Sequence, residues 1–113
     1  MNITVESYGH AVILNLKGEM TEDILGVLKQ AVEHQLENGE VVDIVLNLER
    51  VPFIDSTGLE YLLELQERLS ERFGQVKLLR ADPNMLQILE VTRLRSAFEI
   101  FQDVPEAVKA IQA

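Results

Sequence analysis

Val41-Val42-Asp43-Ile44-Val45-Leu46-Asn47-Leu48, followed by Val51-Pro52-Phe53-Ile54 and then Asp55-Ser56-Thr57-Gly58-Leu59, is the stretch that decides the fold. Residues 41–48 are dense in β-branched and aliphatic side chains, which predicts a central strand covered on both faces. Pro52 has no N–H to give a β-ladder, so 51–54 reads as an extended connection. Asp55, Ser56 and Thr57 are residue types that cap the start of a helix. Leu59, Leu62, Leu63, Leu65, Leu69 and Phe73 then recur at helical spacing until Gly74 stops the pattern. A buried strand that hands over directly to an amphipathic helix is half of a parallel crossover unit.

The same reading extends in both directions. Towards the N-terminus, residues 3–7 and 11–16 form two strands joined by the tight turn Tyr8-Gly9-His10, and Gly18 ends the hairpin. Thr21 is expected to cap a helix, with Glu22 and Asp23 in its first turn. Leu25, Leu28, Val32 and Leu36 form its apolar stripe, and Asn38-Gly39 is expected as its C-cap. Towards the C-terminus, Val76-Lys77-Leu78-Leu79 is a strand. Asp82-Pro83 then opens a short helix to about Val91 in which Met85, Leu86 and Leu89 face the core. Phe98-Glu99-Ile100-Phe101 alternates as a strand, and Asp103-Val104-Pro105 starts a last helix with Val104, Val108 and Ile111 on one side. The order β-β-α-β-α-β-α-β-α predicts an α/β single domain, 1–113. Its sheet is mixed but mostly parallel, about five strands packed with about four helices.

Composition narrows the function. A chain of 113 residues, 47% of them apolar, suits one domain with a real core. There is no cysteine, which excludes disulfides, thiolate chemistry and cysteine-based metal sites. Met1-Asn2-Ile3-Thr4-Val5-Glu6 lacks the basic and apolar regions of a signal peptide, and no apolar run is long enough for a membrane span. A cytoplasmic location is therefore expected. The formal charge of −9 argues against nucleic acid as a partner. The five bases of residues 72–95 (Arg72, Lys77, Arg80, Arg93, Arg95) would suit a protein partner, an anionic lipid surface or plain solvated surface. Glu60, Glu64, Glu67 and Glu71 read as one solvated helix face, with Arg68 and Arg72 in i,i+4 pairs.

Chemistry concentrates at Asp55-Ser56-Thr57-Gly58-Leu59. The first N–H groups of a helix lack intrahelical partners and sit at the positive end of its dipole. Asp55 or Ser56 can cap them, which alone would make the segment structural. A phosphate on Ser56 would lie beside the same donors and add about −1.5 to −2 charges to the surface without unfolding the domain. Gly58 leaves the turn open to close approach. Enzymatic readings find little. His10 and His34 are the two candidate bases for a serine nucleophile, and no Gly-x-Ser-x-Gly elbow surrounds Ser56. No glycine-rich nucleotide loop and no metal-ligand spacing occurs, so no cofactor is expected.

Over essentially its full length the chain resembles the STAS family, the fold of bacterial anti-sigma-factor antagonists. The resemblance is carried by Gly18-Glu19-Met20 after the hairpin and by the strand Asp43-Ile44-Val45-Leu46-Asn47-Leu48. It continues in the signature Phe53-Ile54-Asp55-Ser56-Thr57-Gly58-Leu59 and the strand-helix stretch through Leu94. It implies a non-enzymatic binding module in which Ser56 is phosphorylated by a partner that is both anti-sigma factor and serine kinase, and is reset by a phosphatase. Asp55, Thr57, Gly58 and Leu59 would then belong to the docking surface, together with Thr21 in the loop after the hairpin. Many members read Gly-Glu-Leu-Asp where this chain reads Gly-Glu-Met-Thr, so a hydroxyl replaces a carboxylate at Thr21. A second reading within the same fold is a constitutive accessory subunit, similar to the STAS component of bacterial lipid-transport ATPase complexes.

Overall fold

A computed structural model describes residues 1–112. Strands β1 (Asn2–Tyr8) and β2 (Ala11–Lys17) form an antiparallel hairpin, closed by a turn in which Gly9 takes φ +61°. Helix α1 (Leu25–Leu36), strand β3 (Asp43–Arg50), helix α2 (Ser56–Glu71), strand β4 (Val76–Leu79) and helix α3 (Pro83–Val91) follow. A short 3-10 turn (Arg95–Ala97), strand β5 (Glu99–Phe101) and helix α4 (Val104–Gln112) complete the chain. The sheet order is β1-β2-β3-β4-β5, with β2 through β5 all parallel.

This order explains the layers. Each crossover steps one place in the same direction, and right-handed crossovers then put their helices on one face. There α1, α2 and α3 contribute Leu28, Val32, Leu62, Leu65, Leu69 and Leu89, which meet Leu14, Ile44, Leu46 and Leu78 of the sheet. Fully burying each such side chain stabilises by roughly 1.5–3 kcal/mol. The other face is covered by α4, whose Ala107 packs on Ile13, Val45 and Leu79, flanked by Val104, Val108 and Ile111. β3 is thus apolar on both faces, as its sequence requires.

The helix ends differ from expectation in three places. Thr21 does not cap α1: Ile24 is the N-cap residue and no side chain bonds there. Instead the Thr21 carbonyl accepts from the Ile24 and Leu25 N–H groups at 3.0 and 2.8 Å, so Glu22 and Asp23 lie in a turn ahead of the helix. At the other end Glu37 is the C-cap in right-handed conformation, and Asn38 Oδ1 accepts from the Glu40 N–H. Phe73 lies beyond α2, at φ +62° and 98% exposed, and is no part of the core.

The bases also rearrange. Arg68 pairs with Glu33 of α1 rather than along its own helix, and Arg72 donates to the carbonyls of Leu36 and Asn38. Lys77 is buried beside Glu99, while Arg80 pairs with Glu49 and Arg95 with Glu90. Residues 72–95 therefore present no continuous basic edge.

Candidate functional site

The hand-over from β3 to α2 lies at the carboxyl end of the parallel strands, and it is built by backbone pairing. After the hairpin the chain runs alongside the connection that leaves β3. The Gly18 N–H donates to the Arg50 carbonyl at 3.1 Å, Met20 N–H to Phe53 O at 2.9 Å, and Asp55 N–H to Met20 O at 3.2 Å. Met20 and Ile54 thus pair as a one-residue parallel bridge, both side chains buried. Pro52, which has no N–H to offer, sits in this connection without breaking the ladder.

Asp55 then locks the turn. Its backbone is extended (φ −95°, ψ −178°), and its carboxylate reaches two separate segments. Oδ1 accepts from the Gly58 N–H at 2.9 Å and so caps α2, while Oδ2 accepts from the Glu22 N–H at 2.9 Å in the loop before α1. These donors, Gly58 first and Glu22 second, hold the carboxyl below its ordinary range by stabilising the ionised form. Gly58 is the one residue that permits this approach. A Cβ there would stand 2.5 Å from the Met20 carbonyl oxygen and 2.6 Å from Ile54 Cγ1.

The remaining residues form the outer surface of that turn. Ser56 is exposed at the first position of α2 and Thr57 is half-buried beside it. Leu59 is half-buried against the core, with its N–H donating to the Asp55 carbonyl at 3.0 Å. Phe53 stands 47% exposed just ahead of Asp55. Thr21 is half-buried between Met20 and Glu22, the two residues bonded to Asp55, so the structure brings it to the Ser56 turn. Gly58 is buried and shapes the surface from beneath. Neither histidine serves Ser56. His10 lies in the β1–β2 turn with Nδ1 3.2 Å from the Glu40 carbonyl, and His34 is exposed on α1. Among the described residues no cluster of His, Asp and Glu could hold a metal ion, and no helix is long and apolar enough to cross a membrane.

Two contributors escape sequence reasoning. The Glu22 contact is a backbone N–H reaching across 33 positions, which no residue type signals. Exposed Phe53 reads as one more apolar residue of an extended run, and its outward turn follows from Ile54 being the residue taken into the core.

A sheet of this topology, with an Asp55-capped turn that exposes Ser56 at the carboxyl end of its central strand, defines a small α/β module. The sequence model of the STAS domain family matches residues 2–107, and the chain belongs to that family. It is 21% identical to an anti-sigma F factor antagonist from Paenibacillus polymyxa, over 99% of this chain and 97% of the relative. Among solved structures, an anti-sigma-factor antagonist (STAS) domain protein from Planctomyces limnophilus superposes with a TM-score of 0.85 at 19% identity, covering 98% of each chain. SpoIIAA, described as a Bacillus cell fate determinant, superposes in its phosphorylated form with a TM-score of 0.76 at 22% identity, covering 97% of this chain and 99% of its own. At these identities the structural likenesses establish the fold.

Proposed function

We propose that this chain is an anti-sigma-factor antagonist, a cytoplasmic, non-enzymatic binding switch set by phosphorylation of Ser56. Unmodified, the surface of Thr21, Asp55, Ser56, Thr57 and Leu59, shaped by Gly58, docks on an anti-sigma factor that is also a serine kinase. The observation that carries the reading is the division of labour at the turn. Asp55 performs the capping, so the adjacent Ser56 is exposed and its hydroxyl is not needed to hold the helix.

A phosphate there would add about −1.5 to −2 charges beside a carboxylate that already takes the Gly58 and Glu22 donors. The new charge would therefore face outward and repel or block the docked partner, with the fold intact. A phosphatase restores the binding form. The full-length antagonist relative favours this switch over the accessory-subunit reading.

The test is a pull-down from host lysate with wild type, Ser56→Ala and Ser56→Asp as parallel baits, with mass spectrometry of Ser56 and of the captured proteins. A kinase-type partner kept by wild type and Ser56→Ala but lost by Ser56→Asp is the expected result. Equal capture by all three variants, or an ATPase as the shared partner, would sink the switch.

A further inference from the structure

Phe73 breaks two local rules at once. It is the residue after the α2 cap, where its N–H donates to Ser70 O at 3.1 Å and the Gly74 N–H to Leu69 O at 2.8 Å. This closing geometry wants a left-handed residue, usually glycine, yet a phenylalanine holds φ +62°. Strain alone does not single it out, because Arg93 ends α3 in the same way at φ +60°. The difference lies in the side chain. Arginine is solvated outside a helix end, whereas a ring left 98% exposed gains nothing from water. Residues that break local preferences with no gain inside the fold point to contacts outside it.

A groove of about 490 Å³ opens beside Phe73, between the end of α2 and the 3-10 turn. Gln66, Ser70, Gln75, Ser96 and Ala97 line it, all uncharged, and its one charged lining residue, Glu99, is paired with Lys77. On a chain of net charge −9 such a neutral patch is where two copies can approach without repulsion. Knob and hole also lie on the same patch, which is what a twofold contact between identical surfaces requires. We propose that two copies of this chain pair here, each Phe73 ring entering the groove of the other. The patch sits at the end of the sheet where β4 begins, opposite the end that carries Ser56. Pairing would leave both Ser56 turns free.

The experiment is sedimentation velocity on the full chain from about 1 μM to about 1 mM, for wild type, Phe73→Gly and Ala97→Glu. Wild type is expected to pass from monomer to dimer across this range. Phe73→Gly removes the ring and relieves the backbone, so it should melt no lower than wild type while its dimer dissociation constant rises about a hundredfold or more. Ala97→Glu, which puts a charge into the receiving groove, should weaken pairing in the same direction. Wild type sedimenting as a monomer throughout, or either variant pairing as wild type does, would overturn the proposal.

Discussion

At the scale of single residues, the Ser56 turn depends on a missing side chain. Gly58 lies in the first turn of α2, where replacing glycine by alanine ordinarily gains up to about 1 kcal/mol of helix propensity. Here the added Cβ would meet the Met20 carbonyl oxygen at 2.5 Å. That carbonyl is held by the Asp55 N–H, and its loop is tied again through Glu22, so it has little freedom to retreat. Overpacking of this kind costs about 1–3 kcal/mol. The obstacle is backbone, so the cost should exceed the propensity gain. Gly58→Ala is expected to lose about 1–2 kcal/mol in urea denaturation, together with amide-exchange protection at Glu22. Unchanged or increased stability would mean that the loop is not pinned as described.

At the scale of elements, α1 and α2 are joined through Tyr61. Its ring is buried on α2 with Lys29 Nζ of α1 5.4 Å from the ring centroid, and the Arg68–Glu33 pair closes the same seam. Among the described residues its hydroxyl has no hydrogen-bond partner, and burial, helped by the nearby Glu33 charge, pushes its pKa up to about 12. An unpaired buried hydroxyl costs about 1–3 kcal/mol, so Tyr61→Phe should stabilise by about 1 kcal/mol. The pH dependence has a definite sign. Between the ordinary tyrosine value of 10.0 and about 12 the unfolded chain binds fewer protons than the folded one, so stability falls as pH rises through that window. Chemical denaturation at pH 9 and pH 11 checks this, since Tyr61→Phe should lose less than wild type over that step.

The elements themselves were largely legible in the sequence, because strand and helix periodicities are local. Asp82 is legible as a cap for the same reason, Asp55 as one of two candidates with Ser56, and Asp103 as a helix start; each accepts from an N–H three residues on. The start of α1 was not. Thr21 is committed to the loop that pairs with Phe53–Asp55, and that pairing is decided more than thirty residues away. Phe73 continues the i,i+4 spacing from Leu69, yet α2 ends at Glu71, and Gly74 packs against the residue just ahead of β3. A Cβ at Gly74 would stand 1.7 Å from the Val42 carbonyl oxygen, a constraint invisible in helical spacing.

At the scale of the whole molecule, charge opposes compactness. Nine excess negative charges sit on a body of 32 × 26 × 24 Å. At about 0.01 M salt the Debye length is about 30 Å, so every charge feels the others; at about 0.15 M it is about 8 Å. Added salt therefore acts in two directions, relieving net repulsion and weakening ion pairs. The Arg68–Glu33, Arg80–Glu49 and Arg95–Glu90 pairs have side chains 38–59% exposed, where such pairs contribute about 0–1 kcal/mol each. Against them stand Glu60, Glu64, Glu67 and Glu71 along α2, and Glu19, Glu22 and Asp23 near the Ser56 turn, which form no ion pair among the described residues. Repulsion should dominate. The thermal midpoint is expected to rise by about 3 °C between these two salt concentrations, roughly half a kcal/mol for a domain of this size. Sodium and potassium chloride should give the same shift, because screening depends on ionic strength alone. A falling midpoint would show that the exposed ion pairs, rather than the excess of acid, set the electrostatic balance of the fold.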